Sequence, residues 1–416
     1  MFFLYNALLV LLCPFWIPWM LWRTWKRNEQ PNWQERFGNY QIPKKKGPRL
    51  WLHAVSVGEV MAAAPILRAF KKLKPRAEVI LSVTTSSGHT TAEQKLAGLY
   101  EHLVYFPIDI PRYQLLAMTR VKPSVVAIME TELWMNFLWA ADVVDAKSFV
   151  LNGRVSDRSF PRSMKLRGYY RMLFKFMTEV LAQSEVDAER FRALGMERVS
   201  VYGNCKFDEA LAESAKSAAE WRNELKIADG DFVVVVGSTR SELEEELVLK
   251  ALQSLNKDGL KVIHAPRHIE RAEQLRAAAA AVGFNVGQRS KCEDAPYLIL
   301  DTYGELAGVY NVADVAVVGG GFDTLGGQNL VQPMALGVPV LHGHHMDNFR
   351  DITELARRAG ATQTCATADE LAAALQNLRA DEAMRKEMGD AGKELVRMNS
   401  GASEKYAQRL ADAFSE

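Results

Sequence analysis

Cysteine is scarce in this 416-residue chain: Cys13, Cys205, Cys292 and Cys365 stand alone and form no CxxC pair. That argues against a disulfide framework or a cysteine-built zinc site and fits a reducing compartment. An excess of charge of one sign is also missing. Fifty-one Lys and Arg face 50 Asp and Glu, so the overall balance gives no reason to expect nucleic acid. No HExxH or GxSxG occurs, and the one DxD, Asp229-Gly230-Asp231, precedes its strand and reads as a turn. Nothing therefore recruits a divalent metal, and no cofactor is expected. Short repeats and low-complexity tracts are absent as well, which excludes solenoids. What is present is ordinary in bulk, with 48% hydrophobic and 24% charged residues and enough length for two domains.

Charge is absent in one further place. Met1 to Trp22 contains no Lys, Arg, Asp or Glu, and about 20 apolar residues suffice to cross a hydrocarbon core. Trp16, Trp19, Trp22 and Trp25 gather at its C-terminal end, where interfacial aromatics belong. Arg23, Lys26 and Arg27 follow, which by the positive-inside rule keeps the rest of the chain in the cytoplasm. A cleavable signal would have a basic start and a small-residue cleavage site, and neither is found. Pro14 and Pro18 would kink a spanning helix, so an interfacial or re-entrant anchor is the alternative to a span, and a buried core helix the plainer reading. Eight basic residues (Arg23, Lys26, Arg27, Arg36, Lys44, Lys45, Lys46, Arg49) against Glu29 and Glu35 then suit an anionic lipid surface. A second basic run, Arg154, Arg158, Arg162, Lys165, Arg167, Arg171 and Lys175, is opposed only by Asp157. A solvated helix face explains most such runs; two beside one anchor favour a membrane-facing, anion-binding surface.

Beyond the anchor, short apolar runs alternate with helix-length segments. Strands are expected at 50–55, 78–85, 103–107, 124–130, 147–153, 179–184 and 198–203, then at 232–237, 261–266, 297–301, 315–320 and 338–343. Asp208 to Lys226, rich in Ala, Glu and Lys, reads as a helical connection between the two series. Runs apolar on both faces and alternating with helices form parallel sheets covered on both sides. The expected architecture is α/β: an anchor at 1–25 and two Rossmann-like doubly wound domains facing a cleft, 26–207 and 208–416, with the last helix a candidate to pack back on the first. In such sheets ligands collect at the carboxyl ends of strands.

The chemistry-bearing residues do follow strands. Ser56-Val57-Gly58-Glu59 leads into a helix expected over Val60–Lys72, and Glu59 at that strand end could act as a general base. The alternative is a carboxylate that merely favours the helix N-terminus. Met129-Glu130-Thr131-Glu132-Leu133-Trp134 carries two acids that point to opposite sides if extended, with the same alternative. In the second series, Pro266-Arg267 closes one strand, Asp301-Thr302-Tyr303-Gly304-Glu305 follows the next, and Gly319-Gly320-Gly321 with Gly326-Gly327 brackets a loop before a helix near Leu330. Each is weak alone. Three anion-suited turns after strands of one sheet together suggest a nucleotide phosphate site.

Taken in order, S-V-G-E, M-E-T-E-L-W, N-G-R-V-S-D-R-S, K-F-D, P-R-H, D-T-x-G-E-L and G-G-x-N behind a hydrophobic N-terminus resemble the 3-deoxy-D-manno-octulosonic acid (Kdo) transferases of lipopolysaccharide assembly. The resemblance covers nearly the whole chain. It implies a GT-B glycosyltransferase at the bacterial inner membrane, catalytic domains on the cytoplasmic side, with CMP-Kdo as donor and a lipid A precursor as acceptor. It also implies Glu59 as catalytic base, Glu130 and Lys206 as transition-state support, and Pro266, Arg267, Tyr303, Gly304, Glu305, Asn329, Leu330, Val331 and Gln332 as the CMP site. The last stretch departs from the family's H-N-P-x-E: Gln328-Asn329-Leu330-Val331-Gln332 keeps a hydrogen-bond acceptor at Gln332 and loses the charge. The alternatives are a GT-B transferase or epimerase using another nucleotide sugar, and a membrane-bound homologue that has lost donor binding.

Overall fold

The computed structural model describes residues 2–26, 29, 31–44, 46–211 and 216–415. Arg27 and Lys45, two members of the basic flank, lie outside the described residues. The chain divides into two compact units, Met1–Glu209 with Ser400–Glu416, and Ala210–Asn399.

The first unit is built on a seven-stranded parallel sheet: β1 (Arg49–His53), β2 (Glu78–Val83), β3 (His102–Tyr105), β4 (Val125–Met129), β5 (Lys147–Gly153), β6 (Glu179–Ala182) and β7 (Val199–Val201). Their spatial order is β3-β2-β1-β4-β5-β6-β7. Residues of β1 and β4 are buried on both faces, which is why these runs are apolar without alternation. Chain direction across the sheet reverses between β1 and β4, whose register pairs Leu52 with Ala127 and His53 with Ile128. The helix after β1 spans Val57–Leu73, three residues earlier than expected, because Ser56 already takes the extended N-cap conformation. The C-terminal helix Ala402–Ala413 packs in the same core through Tyr406, Ala407 and Leu410.

The second unit repeats the plan with β8 (Phe232–Thr239), β9 (Leu260–Pro266), β10 (Val286–Gln288), β11 (Tyr297–Ile299), β12 (Val315–Val318), β13 (Val340–His342) and β14 (Thr362–Thr364). The order is β10-β11-β9-β8-β12-β13-β14, again all parallel, with the reversal between β8 and β12. Every strand expected from the sequence is present. The two edge strands, β10 and β14, were not expected: each is three residues long and carries too little apolar pattern to stand out.

One expectation is corrected. Asp208–Lys226 is not a single helical connection: a helix at Lys206–Ala210 and another at Ala218–Glu224 lie on either side of residues 212–215, which are outside the described set. The second begins with a full capping box between Ser217 and Glu220, a strong local start signal inside what composition presented as one run.

Candidate active site

The carboxyl rim of the first sheet, at the reversal between β1 and β4, gathers the expected catalytic residues. Glu59 is the third residue of its helix and turns back on the strand end: Oε2 accepts from the Val55 N–H at 2.8 Å and Oε1 from the Ser56 hydroxyl at 3.2 Å. Glu59 therefore does tie the N-terminus of its helix, as one of the two sequence readings has it. Burial, with the nearby charges of Glu130 and Glu132 adding to it, nevertheless pushes its carboxyl up to about 8 against the two hydrogen bonds. A carboxylate that basic is well matched to taking a proton from a hydroxyl near neutral pH.

Glu130 sits one residue past β4 with φ at 56°, a left-handed backbone that costs on the order of 1–3 kcal/mol for a side chain of this kind. Its N–H donates to Leu151 O at 2.9 Å, fixing the turn. The side chain pairs with Lys206 Nζ at 3.6 Å, and both are largely buried. Glu132 is half-buried, and burial raises its carboxyl too. Sequence reasoning missed a fourth acid: Glu209, one turn beyond Lys206, is pushed up to about 7 by burial, with Lys206 opposing and Glu130 adding to the shift. Its only signal was the helical spacing from Lys206. The rim thus holds one ammonium among several carboxyls, an arrangement that keeps some of them protonated at neutral pH.

Asp208, of the same K-F-D motif, points elsewhere. It accepts from the Gly401 N–H at 2.5 Å and the Ser403 N–H at 2.7 Å and so caps the C-terminal helix. Tyr406 OH donates to Gly203 O at 2.7 Å from the other side of that contact. The motif therefore joins Lys206, directed at the rim, to an aspartate that holds the loop carrying it.

On the rim of the second sheet, Arg267 follows β9, is exposed, and its N–H donates to Thr239 O at 2.8 Å. Pro266 is buried at the strand end. His264, in the same strand, is fully buried between Thr239 Oγ1 (2.9 Å) and Tyr297 OH (2.6 Å), a core histidine that burial holds neutral, down to about 3. After β11, Tyr303 is 74% exposed, Gly304 turns with φ at 82°, and Glu305 pairs with Arg289 at 3.0 Å. Burial opposes ionisation of Glu305, but the bonds from Arg289 and Thr302 hold it below the usual range.

The glycine loop after β12 lies at the second reversal. Gly326 and Gly327 have φ of 87° and 76°, and the Gly327 N–H donates to Gly320 O at 2.8 Å. Asn329 Oδ1 accepts from the Val331 N–H at 2.9 Å and starts the helix Val331–Ala335. Leu330 and Val331 are fully buried, so a ligand could reach them only through backbone groups, whereas Gln332 is half-buried. The end of β8 and the residue after it were also missed. Ser238, with φ at 63°, and Arg240 stand at the reversal, where ligands collect. Glu244 pins both loops, accepting from the Arg240 N–H at 2.9 Å and the Phe322 N–H at 3.0 Å. Its sequence signal was the Ser241…Glu244 capping pattern before that helix.

Of the second basic run, Arg162, Lys165, Arg167 and Arg171 fall on two short helices, Phe160–Lys165 and Arg167–Leu173, with Arg154 and Arg158 before them and Lys175 after. Most of it is solvent-exposed. Arg158 and Arg162 line a recess of about 220 Å³ with Ser156, Ser159, Ser163 and Tyr170.

A model of the 3-deoxy-D-manno-octulosonic-acid transferase (kdotransferase) family matches residues 31–209. The 3-deoxy-D-manno-octulosonic acid transferase of Chlamydia muridarum is 30% identical over 381 residues, 89% of this chain and 87% of that one. The enzyme of the same description from Bordetella pertussis is 30% identical over 95% of each chain. Among solved structures, Anabaena HepE in complex with UDP-glucose has a TM-score of 0.61 at 15% identity, covering 89% of this chain and 100% of that one. That likeness shows the fold alone, which is GT-B.

Proposed function

The chain belongs to the 3-deoxy-D-manno-octulosonic acid transferase family, and we propose that it moves Kdo from CMP-Kdo to a lipid A precursor, with inversion, on the cytoplasmic side of the inner membrane. The observation that carries the chemical part is Glu59, a half-buried carboxylate at the sheet reversal whose pKa is lifted to about 8. In the proposed step Glu59 takes the proton of an acceptor hydroxyl and the freed oxygen attacks the anomeric carbon of Kdo. The bond from that carbon to the CMP phosphate oxygen breaks, and CMP leaves with the electron pair. One base and direct attack invert the anomeric centre. Glu130 holds Lys206 in place, and the pair supports the charge that develops as the donor bond breaks.

In the second unit, CMP is assigned to the rim of Arg267, Tyr303–Glu305 and Asn329–Gln332. A donor that leaves with one phosphate presents few negative oxygens, and Arg267 with backbone N–H groups of the glycine loop suits that charge. The mechanism needs no metal, so turnover should survive saturating EDTA. On the acceptor side, Arg158 and Arg162 with the serines of their recess suit a lipid phosphate. The apolar helix Phe2–Lys26, uncharged as far as Trp22, and the basic residues at its end and beyond it suit membrane lipids.

Gln332 favours one second reading, a donor other than CMP-Kdo, because it lacks the charge that the family pattern has there. Titration calorimetry with CMP and UDP separates the two. Tighter binding of CMP is expected, and a preference for UDP would remove CMP-Kdo as donor.

A further inference from the structure

The N-terminal helix α1 (Phe2–Lys26) is predominantly apolar, uncharged as far as Trp22, and long enough to cross a bilayer. A helix that crosses puts its two ends on opposite sides. Here both ends are tied to one folded unit. Near its start, Tyr5 OH donates to Asp109 Oδ2 at 2.7 Å, and Asn6 and Asn136 exchange amide hydrogen bonds at 3.0 and 2.9 Å. Phe2 packs on Trp139, with ring centroids 5.2 Å apart. Just past its end, Glu29 accepts from the Ser86 N–H at 2.6 Å, and farther along, at the close of the helix Trp33–Arg36, Arg36 donates to Thr84 O at 2.9 Å. Ser86 and Thr84 follow β2, Asp109 follows β3 and Asn136 follows β4, so all four belong to the same carboxyl rim.

The contacts at the start of α1 are specific. Asp109 and Asn136 are buried polar side chains, 6% and 0% exposed, and α1 supplies partners to both. Without it a buried carboxyl and a buried amide would each lose a hydrogen bond, which proteins rarely tolerate. Tyr5 and Asn6 are also the polar interruptions in an otherwise apolar opening, and docking gives them a use. From Tyr5 to Thr24 the helix runs about 28 Å at 1.5 Å per residue. A span would carry Tyr5 about that far from the rim it touches.

The outer side of α1 remains bare: Phe3, Val10, Leu11, Phe15 and Trp25 are each at least 70% exposed. Beside it stands the basic helix pair, since Tyr169 packs on Tyr5 at 5.7 Å and Arg162, Lys165, Arg167 and Arg171 are exposed on the same pair. An apolar rod edged with cations complements an anionic lipid leaflet.

We propose that α1 does not cross the membrane but lies folded back along the rim of the first unit, sunk into the cytoplasmic leaflet. This rests on the membrane association proposed above. It gives the N-terminus the same side as the catalytic units and places the Glu59 rim at the level of the headgroups. Cys13 and the tryptophans then lie in lipid on one side only.

The test is the side on which the N-terminus emerges. A short uncharged epitope with a protease site is placed ahead of Met1, and a second tag at the C-terminus reports the orientation of the vesicles. Cleavage of the N-terminal tag in inside-out vesicles and protection in right-side-out vesicles is expected. Cleavage in right-side-out vesicles overturns the proposal. As a measurement free of any tag, Tyr5→Phe combined with Asn6→Leu should lower the melting temperature by several degrees, since Asp109 and Asn136 lose partners. An unchanged melting temperature would show that α1 is not docked and would also overturn it. Recovery of the full chain in the soluble fraction counts against the membrane association itself, which topology alone does not touch.

Discussion

Glu59 is asked to accept two hydrogen bonds as a carboxylate and yet is harder to ionise than a free glutamate, because burial and two neighbouring acids outweigh those bonds. A base works only when deprotonated, so kcat/KM should rise with pH through about 8 and level off above it. A profile flat from pH 6 to 9 would contradict the assignment. Glu130→Gln removes one of the like charges that raise Glu59, so the rising limb should move to lower pH even as the rate falls. Stability follows the opposite sense. The folded state holds the Glu59 proton more tightly than the unfolded chain, so ionisation costs stability as pH climbs from about 4.5 toward about 8. Glu59→Gln should therefore melt higher than the parent at pH 8, while turnover drops by about 10²–10⁴-fold. A variant both inactive and less stable at pH 8 would point to a structural role alone.

At the scale of elements, the long central strands were legible because Val, Ile and Leu runs without alternation mean burial on both faces. The edge strands β10 and β14 were not, since three residues carry no period. The candidate acids Glu59 and Glu130 were picked out for a related reason, since each stands at the close of a strand on the rim where such sheets hold ligands, whereas Lys206 came only through the family resemblance of its K-F-D motif. Glu209, Glu244 and Asp208 were not picked out, because their roles depend on what packs against them. Asp208 is the clearest case, a motif residue that caps the distant helix Ala402–Ala413. Asp208→Ala should destabilise the protein by about 1–2 kcal/mol in urea titration and leave CMP affinity unchanged. In the second unit the local departure lies at Gln332. Gln332→Glu restores a carboxylate that can accept from ribose hydroxyls, and calorimetry should show CMP binding about three- to tenfold tighter. Weaker binding would remove Gln332 from the nucleotide site.

For the whole molecule, the balance of 51 basic against 50 acidic residues conceals an uneven distribution. Cations collect after α1 and on Phe160–Lys165 and Arg167–Leu173, while carboxyls collect on the rim beside β1 and β4. Sequence alone could count the basic run but could not show that Arg158 and Arg162 close on a serine-lined recess. Reversing both charges, Arg158→Glu with Arg162→Glu, should raise the KM for a bisphosphorylated lipid acceptor at least tenfold and leave the KM for donor unchanged. The most direct measurement of the central claim is mass spectrometry of the lipid product after incubating purified protein with CMP-Kdo and lipid A precursor. The account predicts lipid heavier by whole Kdo units with the parent protein and unmodified lipid with Glu59→Gln. Equal transfer by both proteins, or no Kdo on the lipid from the parent, would contradict it.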